Sequence, residues 1–148
     1  MAISEADDRH LRLLAEFENF RRRTAKEQEA ARREGRRAAL LPLLPVLDAL
    51  ERALGAGSTD RDFYEGVAAT HRLFVTALRE AGAEPIDSVG RLFDPNLHEA
   101  VAAVPAAEGI APGTVVREVR RGWRHADELL RPAQVVVATA GEHADQWR

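Results

Sequence analysis

The chain has 148 residues, of which 45% are hydrophobic and 30% charged, and its net charge is −3. This length predicts one domain or two small interdependent ones, and the charge does not favour a polyanion-binding protein as a whole. The absence of cysteine excludes a thiol nucleophile, a disulfide framework and a cysteine-bound metal. With no signal peptide and no membrane-spanning run recognised, the sequence predicts a cytoplasmic protein.

The first predicted element is a long helix over residues 4 to about 40. The segment lacks proline and is rich in Ala, Arg, Glu and Leu, which favour helices. Its apolar stripe has a helical period, and an isolated helix is only marginally stable in water, so pairing with a second copy is expected. The stripe residues predicted at the dimer interface are Leu13, Phe17 and Phe20.

Arginine runs at 21–23 and 32–37 raise the alternative of a nucleic-acid-binding coiled coil. Residues 1–40 hold ten basic and eight acidic side chains, so the local field nearly cancels. Pairs such as Glu18–Arg22 lie four residues apart and favour a solvated, self-neutralising face. Nucleic acid is therefore not expected as a partner, although this reading remains the third alternative.

A helical hairpin is predicted next. The segment "LLPLLPVLDALERAL", residues 40–54, carries a dense leucine face, and its prolines favour the first turn of a new helix. The loop "GAGSTD" leads to a third helix at about 61–81, with Gly82 as its C-terminal cap. Two such hairpins make a four-helix bundle. The hairpin residues predicted at the dimer interface are Leu43, Leu44, Leu47, Leu50, Leu54, Phe74 and Leu78.

After Gly82 the chain becomes a series of short β-branched segments separated by glycine and proline, which is typical of strands. The predicted strands are "EPIDSV" (84–89), "EAVAAVP" (99–105), "TVVREVRRGW" (114–123) and "LLRPAQVVVAT" (129–139). "RHADEL" is predicted to form a hairpin turn, and Pro132 to place the last strand at an edge or a bulge. In the third strand, the residues expected to share one face are Val115, Arg117, Val119, Arg121 and Trp123.

These elements predict an α+β fold. Residues 1–40 are expected to form a dimerising helix, 41–82 the hairpin of a dimeric four-helix bundle, and 83–140 a small β domain. Residues 141–148 are expected to be a mobile tail.

The pair His98–Glu99 is the first candidate for chemistry. A zinc-protease motif needs a second histidine four residues after the first, and that position is Ala102. The favoured interpretation is structural: Asp94 caps a turn, Pro95 takes its first position, and a strand resumes at Ala100. No phosphate-binding loop or serine nucleophile motif is present. The sequence therefore predicts a binding protein without enzyme activity, metal or cofactor.

Four blocks of the sequence resemble the GrpE family, the nucleotide exchange factors of DnaK-type chaperones. They are "AEFENFRRRTAKE" (15–27), "LLPVLDALERAL" (43–54), "FDPNLHEAV" (93–101) and "RRGWRHADELLRPAQVVVA" (120–138). The blocks follow the family order and span most of the chain from residue 11 to 140. His98 and Glu99 then belong to a structural signature of the family.

The resemblance implies a homodimer whose β domain binds the ATPase domain of a DnaK-type chaperone, holds the nucleotide cleft open and speeds ADP release. It also implies a role in protein folding and the stress response, with no membrane partner. Carried over position by position, the implied partner contacts are Val119, Arg121, Trp123, Glu128, Arg131, Pro132 and Val137.

One position departs from the family pattern. Members often carry arginine in the turn before the last strand, as in "DRVLRPA", whereas this chain reads "DELLRPA" with Glu128. The charge reversal leaves a second reading open, in which the protein is an adaptor or scaffold dimer that keeps the fold without productive exchange activity.

Overall fold

The computed structural model describes residues 4–140, which fall into two compact units divided between Ala38 and Ala39. The predicted tail at 141–148 lies outside the described residues. The predicted boundaries after residues 40 and 82 stay predictions.

Helix α1 (Glu5–Leu40) confirms the long helix expected from composition. It begins where the Ser4 hydroxyl accepts a hydrogen bond from the Asp7 backbone N–H, at 3.2 Å. Acidic residues in the first turn and Arg37 in the last turn complement the helix dipole. No helix among residues 4–140 is both long and apolar enough to cross a membrane.

The backbone remains helical through the proline pair. A single 3-10 turn, Leu41–Leu43, separates α1 from α2 (Leu44–Ala56), and the Leu44 backbone N–H donates to the Leu41 carbonyl oxygen. Pro45 lies in the first turn of α2, as predicted, where its missing N–H leaves no helical hydrogen bond unmade.

Helix α3 (Arg61–Glu80) returns along α2 and completes the predicted hairpin. Asp60 caps its start by accepting the Phe63 backbone N–H at 3.0 Å. At its end Gly82 has φ +90°, and its N–H donates to the Arg79 carbonyl oxygen at 2.9 Å. The predicted glycine cap is therefore confirmed.

Six strands follow, which confirms the α+β fold class. They are β1 (Ala83–Pro85), β2 (His98–Pro105), β3 (Val115–Arg120), β4 (Trp123–His125), β5 (Glu128–Arg131) and β6 (Ala133–Thr139). The first sheet is antiparallel, in the order β1-β4-β5. The second sheet has the order β2-β6-β3, with β2 parallel and β3 antiparallel to β6.

The core lies where the helical hairpin meets the first sheet. Leu44 and Leu47 of α2, Leu78 of α3 and Trp123 of β4 are buried in one apolar cluster. A second cluster, around Val135 of β6, lies within the second sheet.

Two predicted strands are each divided between the two sheets. Residues 114–123 form β3 and β4, which separate at Arg121 and Gly122, and residues 129–139 form β5 and β6, which separate at Pro132. The last strand was predicted to lie at an edge or to carry a bulge at Pro132; it divides there instead, with β5 at the edge of the first sheet and β6 at the centre of the second. Proline lacks the N–H that a ladder needs, so it ends β5 instead of bending a continuous strand.

The predicted strand at 84–89 is also too long, since β1 ends at Pro85.

The predicted shared face of β3 is wrong as well. Val115 is buried and Val119 is exposed, because the register with β6 shifts after Val115 and again after Glu118. Each irregularity adds a residue to one strand, which turns the following side chains to the other face.

Candidate partner-binding surface

The His98–Glu99 pair belongs to a closed turn, as predicted. The Asp94 carboxylate accepts the Asn96 backbone N–H at 2.9 Å, and the Asp94 backbone N–H donates to Nδ1 of His98 at 2.9 Å. The buried His98 ring thus ties the end of the turn to its start, and Glu99 accepts a hydrogen bond from Gln134. Strand β2 resumes at His98, two residues earlier than predicted.

The titratable side chains do not gather into a metal site within the described part of the chain, where no group of three or more His, Asp or Glu residues is close enough to hold an ion. His71 contacts a carboxylate instead: its Nε2 lies 3.4 Å from Glu51 Oε1, between α3 and α2. Contacts such as that between His71 and Glu51 are typical of packing within a protein and of protein recognition.

Val119 and Glu128 are the predicted partner contacts that the structure leaves on the surface. Val119, near the end of β3, exposes 55% of its area. Glu128 is exposed at the start of β5, just after a two-residue turn in which Ala126 has φ +50°. This hairpin confirms the turn predicted at "RHADEL".

Trp123 and Val137 face inward. Trp123 is fully buried and packs with the leucines of the hairpin, while Val137 is buried in the second sheet. A partner reaches neither side chain without opening the core. Both side chains are therefore part of the packed interior.

Arg131 is also engaged within the chain. Its two terminal nitrogens donate to the Asp48 carboxylate of α2, at 2.6 and 2.5 Å, and the two side chains are only 10% and 15% exposed. Arg121 is half-buried, with its guanidinium 3.5 Å from Glu118 and 4.0 Å from Glu51. Pro132 is half-buried between β5 and β6.

A groove of about 300 Å³ runs beside Arg121. Arg79 and Arg121 line it together with two acidic residues, Asp87 and Glu118, and with apolar side chains that include the exposed Val89. A lining of mixed charge interspersed with apolar side chains suits a polypeptide surface better than a single small anion.

The predicted dimer residues divide into two groups. Leu13, Phe17, Phe20 and Leu43 expose 41% or more of their area, whereas Leu44, Leu47 and Leu78 are buried inside one chain. The remaining three, Leu50, Leu54 and Phe74, are half-buried. The leucine face of the hairpin thus mainly holds the hairpin against Trp123.

Sequence reasoning missed the second apolar stripe of α3, which lies on the outer face of the hairpin. Val46 of α2 and Phe63 and Leu73 of α3 are large apolar side chains that remain exposed. On α3 they belong to a second stripe, Phe63, Gly66, Thr70, Leu73 and Ala77, whose spacing of three and four residues was readable in the sequence. The two small residues and the threonine in this stripe made it look polar.

Comparison with known proteins agrees with this architecture. The GrpE family model matches residues 2–139. The chain is 45% identical over 139 residues to Protein GrpE of Geobacillus kaustophilus (strain HTA426), covering 92% of this chain and 65% of that protein. It is 42% identical over 139 residues to Protein GrpE of Parageobacillus thermoglucosidasius, covering 92% and 62%.

A more distant relative is Protein GrpE of Legionella pneumophila (strain Corby), 39% identical over 134 residues, covering 89% of this chain and 67% of that protein. The chain thus spans just under two thirds of the length of the first two relatives. The family match extends from the start of the long helix to the end of β6, so it includes every described element. This protein belongs to the GrpE family.

Proposed function

We propose that this protein is a nucleotide exchange factor that binds the ATPase domain of a DnaK-type chaperone as a homodimer and accelerates ADP release. The observation that carries the proposal is the family match over residues 2–139. The proposal assigns no bond-making or bond-breaking step to this chain, and it places the protein in the cytoplasm, in protein folding and the stress response.

The proposed activity is a coupling between two ligands of the chaperone. An exchange factor that binds the open, nucleotide-free chaperone more tightly than the closed one weakens ADP binding, and ADP weakens the factor by the same amount. A hundredfold loosening of ADP requires about 2.7 kcal/mol of differential binding. A surface of moderate size is able to supply this difference.

The proposed contact surface is centred on Val119 and Glu128, with the groove beside Arg121 at its margin. An exposed aliphatic side chain gains most from burial against a partner, and the mixed charges of the groove provide orientation. Trp123, Val137 and Arg131 support this surface from below.

The proposed dimer uses the apolar stripe of α1 and, in a four-helix bundle, the outer face of the hairpin. Phe17 and Phe20 on α1, and Phe63 and Leu73 on α3, leave apolar area exposed in the single chain. On each unit, exposed apolar surface of this kind marks protein interfaces. Leu44, Leu47 and Leu78 are omitted from the proposed interface, because each is already buried within one chain.

A scaffold dimer without exchange activity is the second candidate. It is favoured by Glu128, which reverses the charge that the family often has at this exposed position. In that case the dimer forms but the chaperone is bound weakly or not at all.

The deciding experiment is ADP release from the host's DnaK-type chaperones. Each chaperone is loaded with a fluorescent ADP analogue and chased with unlabelled nucleotide, with and without the full-length protein. We expect a large acceleration that Val119→Asp reduces strongly, whereas Val104→Asp, at an exposed valine on β2, does not. No acceleration with any host chaperone, while the dimer is intact, contradicts exchange activity and supports the scaffold.

A further inference from the structure

A nearly buried ion pair outside the proposed contact surface joins α2 to β5. Asp48 and Arg131 are 83 residues apart in sequence. Both terminal nitrogens of the Arg131 guanidinium donate hydrogen bonds to the Asp48 carboxylate. Paired hydrogen bonds of this kind fix the relative orientation of two groups more strictly than a single contact. The exposure of both side chains is low, so water competes little for either partner.

Arg131 also binds the neighbouring strand connection. Its Nε donates to the Arg121 carbonyl oxygen at 2.9 Å, while the Arg121 guanidinium approaches Glu51, three residues along α2 from Asp48. Two carboxylates on one face of α2 therefore each hold an arginine of the β region.

These arginines lie at two of the three points where the described chain changes sheets, the third being the β1–β2 connection at residues 86–97. Arg121 and Gly122 join β3 to β4, and Pro132 joins β5 to β6. The two connections touch: a Cβ on Gly122 would lie 2.5 Å from the Ala133 backbone nitrogen. These two of the three connections between the sheets thus lie beside one place on α2.

We propose that Asp48 and Arg131 form a positioning latch, which fixes the direction of the second sheet relative to the helical hairpin and so lets the bound protein hold the chaperone open. This inference rests on the proposed exchange function. Val119 is on β3 of the second sheet, so the latch sets the position of the Val119 part of the proposed contact surface, whereas Glu128 is on β5, the same strand as Arg131.

The latch is expected to affect exchange more than affinity. A rigidly held sheet fits the open chaperone and not the closed one, and this difference is what displaces ADP. A sheet that tilts freely adapts to both states, so it still binds but discriminates less. Loss of the latch should therefore lower the maximal rate of ADP release at saturating protein, with little change in affinity for the nucleotide-free chaperone.

The test replaces the pair with apolar residues, Asp48→Leu together with Arg131→Met. A buried ion pair exchanged for apolar groups of similar size often leaves stability unchanged, so folding and orientation are separated. The matched control is Glu84→Gln with Arg124→Gln, which removes an exposed pair joining β1 to β4, 3.3 Å apart. Circular dichroism and sedimentation establish that each full-length variant is folded and associates as the wild type does.

We expect the latch variant to lower the maximal ADP-release rate about tenfold, within the usual range of coupling between sites, and to change chaperone affinity less than about threefold. The control should match the wild type in both. An unchanged maximal rate overturns the latch. A loss of affinity that accounts for the lower rate also overturns it, because Arg131 would then touch the chaperone directly.

If the apolar pair does not fold, Arg131→Lys takes its place, since lysine keeps the charge but not the two-pronged geometry. The same fall in maximal rate is expected, and an unchanged rate overturns the proposal. Amide hydrogen exchange on the free protein supplies a readout independent of the chaperone. Exchange around Gly122 and Ala133 should rise in the latch variant and not in the control.

If the wild type itself fails to accelerate ADP release, the proposed exchange function is contradicted. The latch is then tested by amide hydrogen exchange alone. Unchanged exchange around Gly122 and Ala133 then overturns it.

Discussion

The helix up to Ala38 and the unit from Ala39 onward differ in how far their apolar and charged side chains are exposed to solvent. In the helix, Phe17 and Phe20 are exposed and the ion pair Arg21–Glu18 lies in solvent. In the second unit, Trp123 is fully buried and the Asp48–Arg131 pair is nearly so. The second unit thus contains interactions that hold it together, whereas the helix leaves its large apolar side chains exposed.

The largest expected effect is at the buried ion pair. Arg131→Ala leaves the Asp48 carboxylate buried without its partner, which should lower the free energy of unfolding by about 3–5 kcal/mol. Urea unfolding of the full chain measures this loss. Arg21→Ala, at the exposed pair in α1, is the control and should change stability by no more than about 0.5 kcal/mol. Similar losses at both sites would remove the contrast between the two regions.

Gly122→Ala is expected to come next. The new methyl group would meet the Ala133 backbone, which cannot move aside as a flexible side chain does. We expect a loss of about 1–3 kcal/mol, as for overpacking in a core, measured by thermal unfolding. Gly55→Ala, at an open position near the end of α2, serves as the control. A stable Gly122→Ala variant would show that the two strand connections lie farther apart.

Gly35→Ala should act in the opposite direction. Gly35 lies inside α1 with open space around the position of a Cβ, so alanine should stabilise the helix by about 1 kcal/mol. The change is measured as a higher midpoint of the helical melting transition at 222 nm. A lower midpoint would instead mean that a second copy packs closely against Gly35.

The smallest expected effect is at the turn before Glu128. Ala126 has a positive φ, which disfavours a residue with a Cβ, so Ala126→Gly should relieve strain. The gain should be about 1 kcal/mol or less after the added flexibility of the unfolded chain is counted. Chemical denaturation is sensitive enough to detect it, and a clear loss of stability would contradict the strain at this turn.

The helices were predictable because their signals are local. Composition and spacing identified α1, the hairpin loop and the cap at Gly82, each of which depends on neighbours a few residues apart. The strand segments were recognised, but their division between two sheets depends on contacts such as that of Gly122 with Ala133, which no local pattern contains.

The contact surface was predictable only in outline. A pattern of alternating residues placed Val115 and Val119 on one face, and two register shifts in β3 separate them. Arg131 looked like a surface arginine, since its partner Asp48 is distant in sequence. On the hairpin, spacing indicated one apolar face of α3 and the second stripe was missed, and only the fold shows that Leu78 is buried with Trp123 while Leu73 is exposed.

The most direct test of the difference between the two regions is amide hydrogen exchange on the full chain, above and below the concentration at which the proposed dimer dissociates. We predict that protection of residues 5–38 falls sharply on dilution, while the core around Leu44, Leu47 and Trp123 stays protected. Equal protection of residues 5–38 at both concentrations, with dissociation verified by sedimentation, would contradict the claim that this helix depends on a second copy.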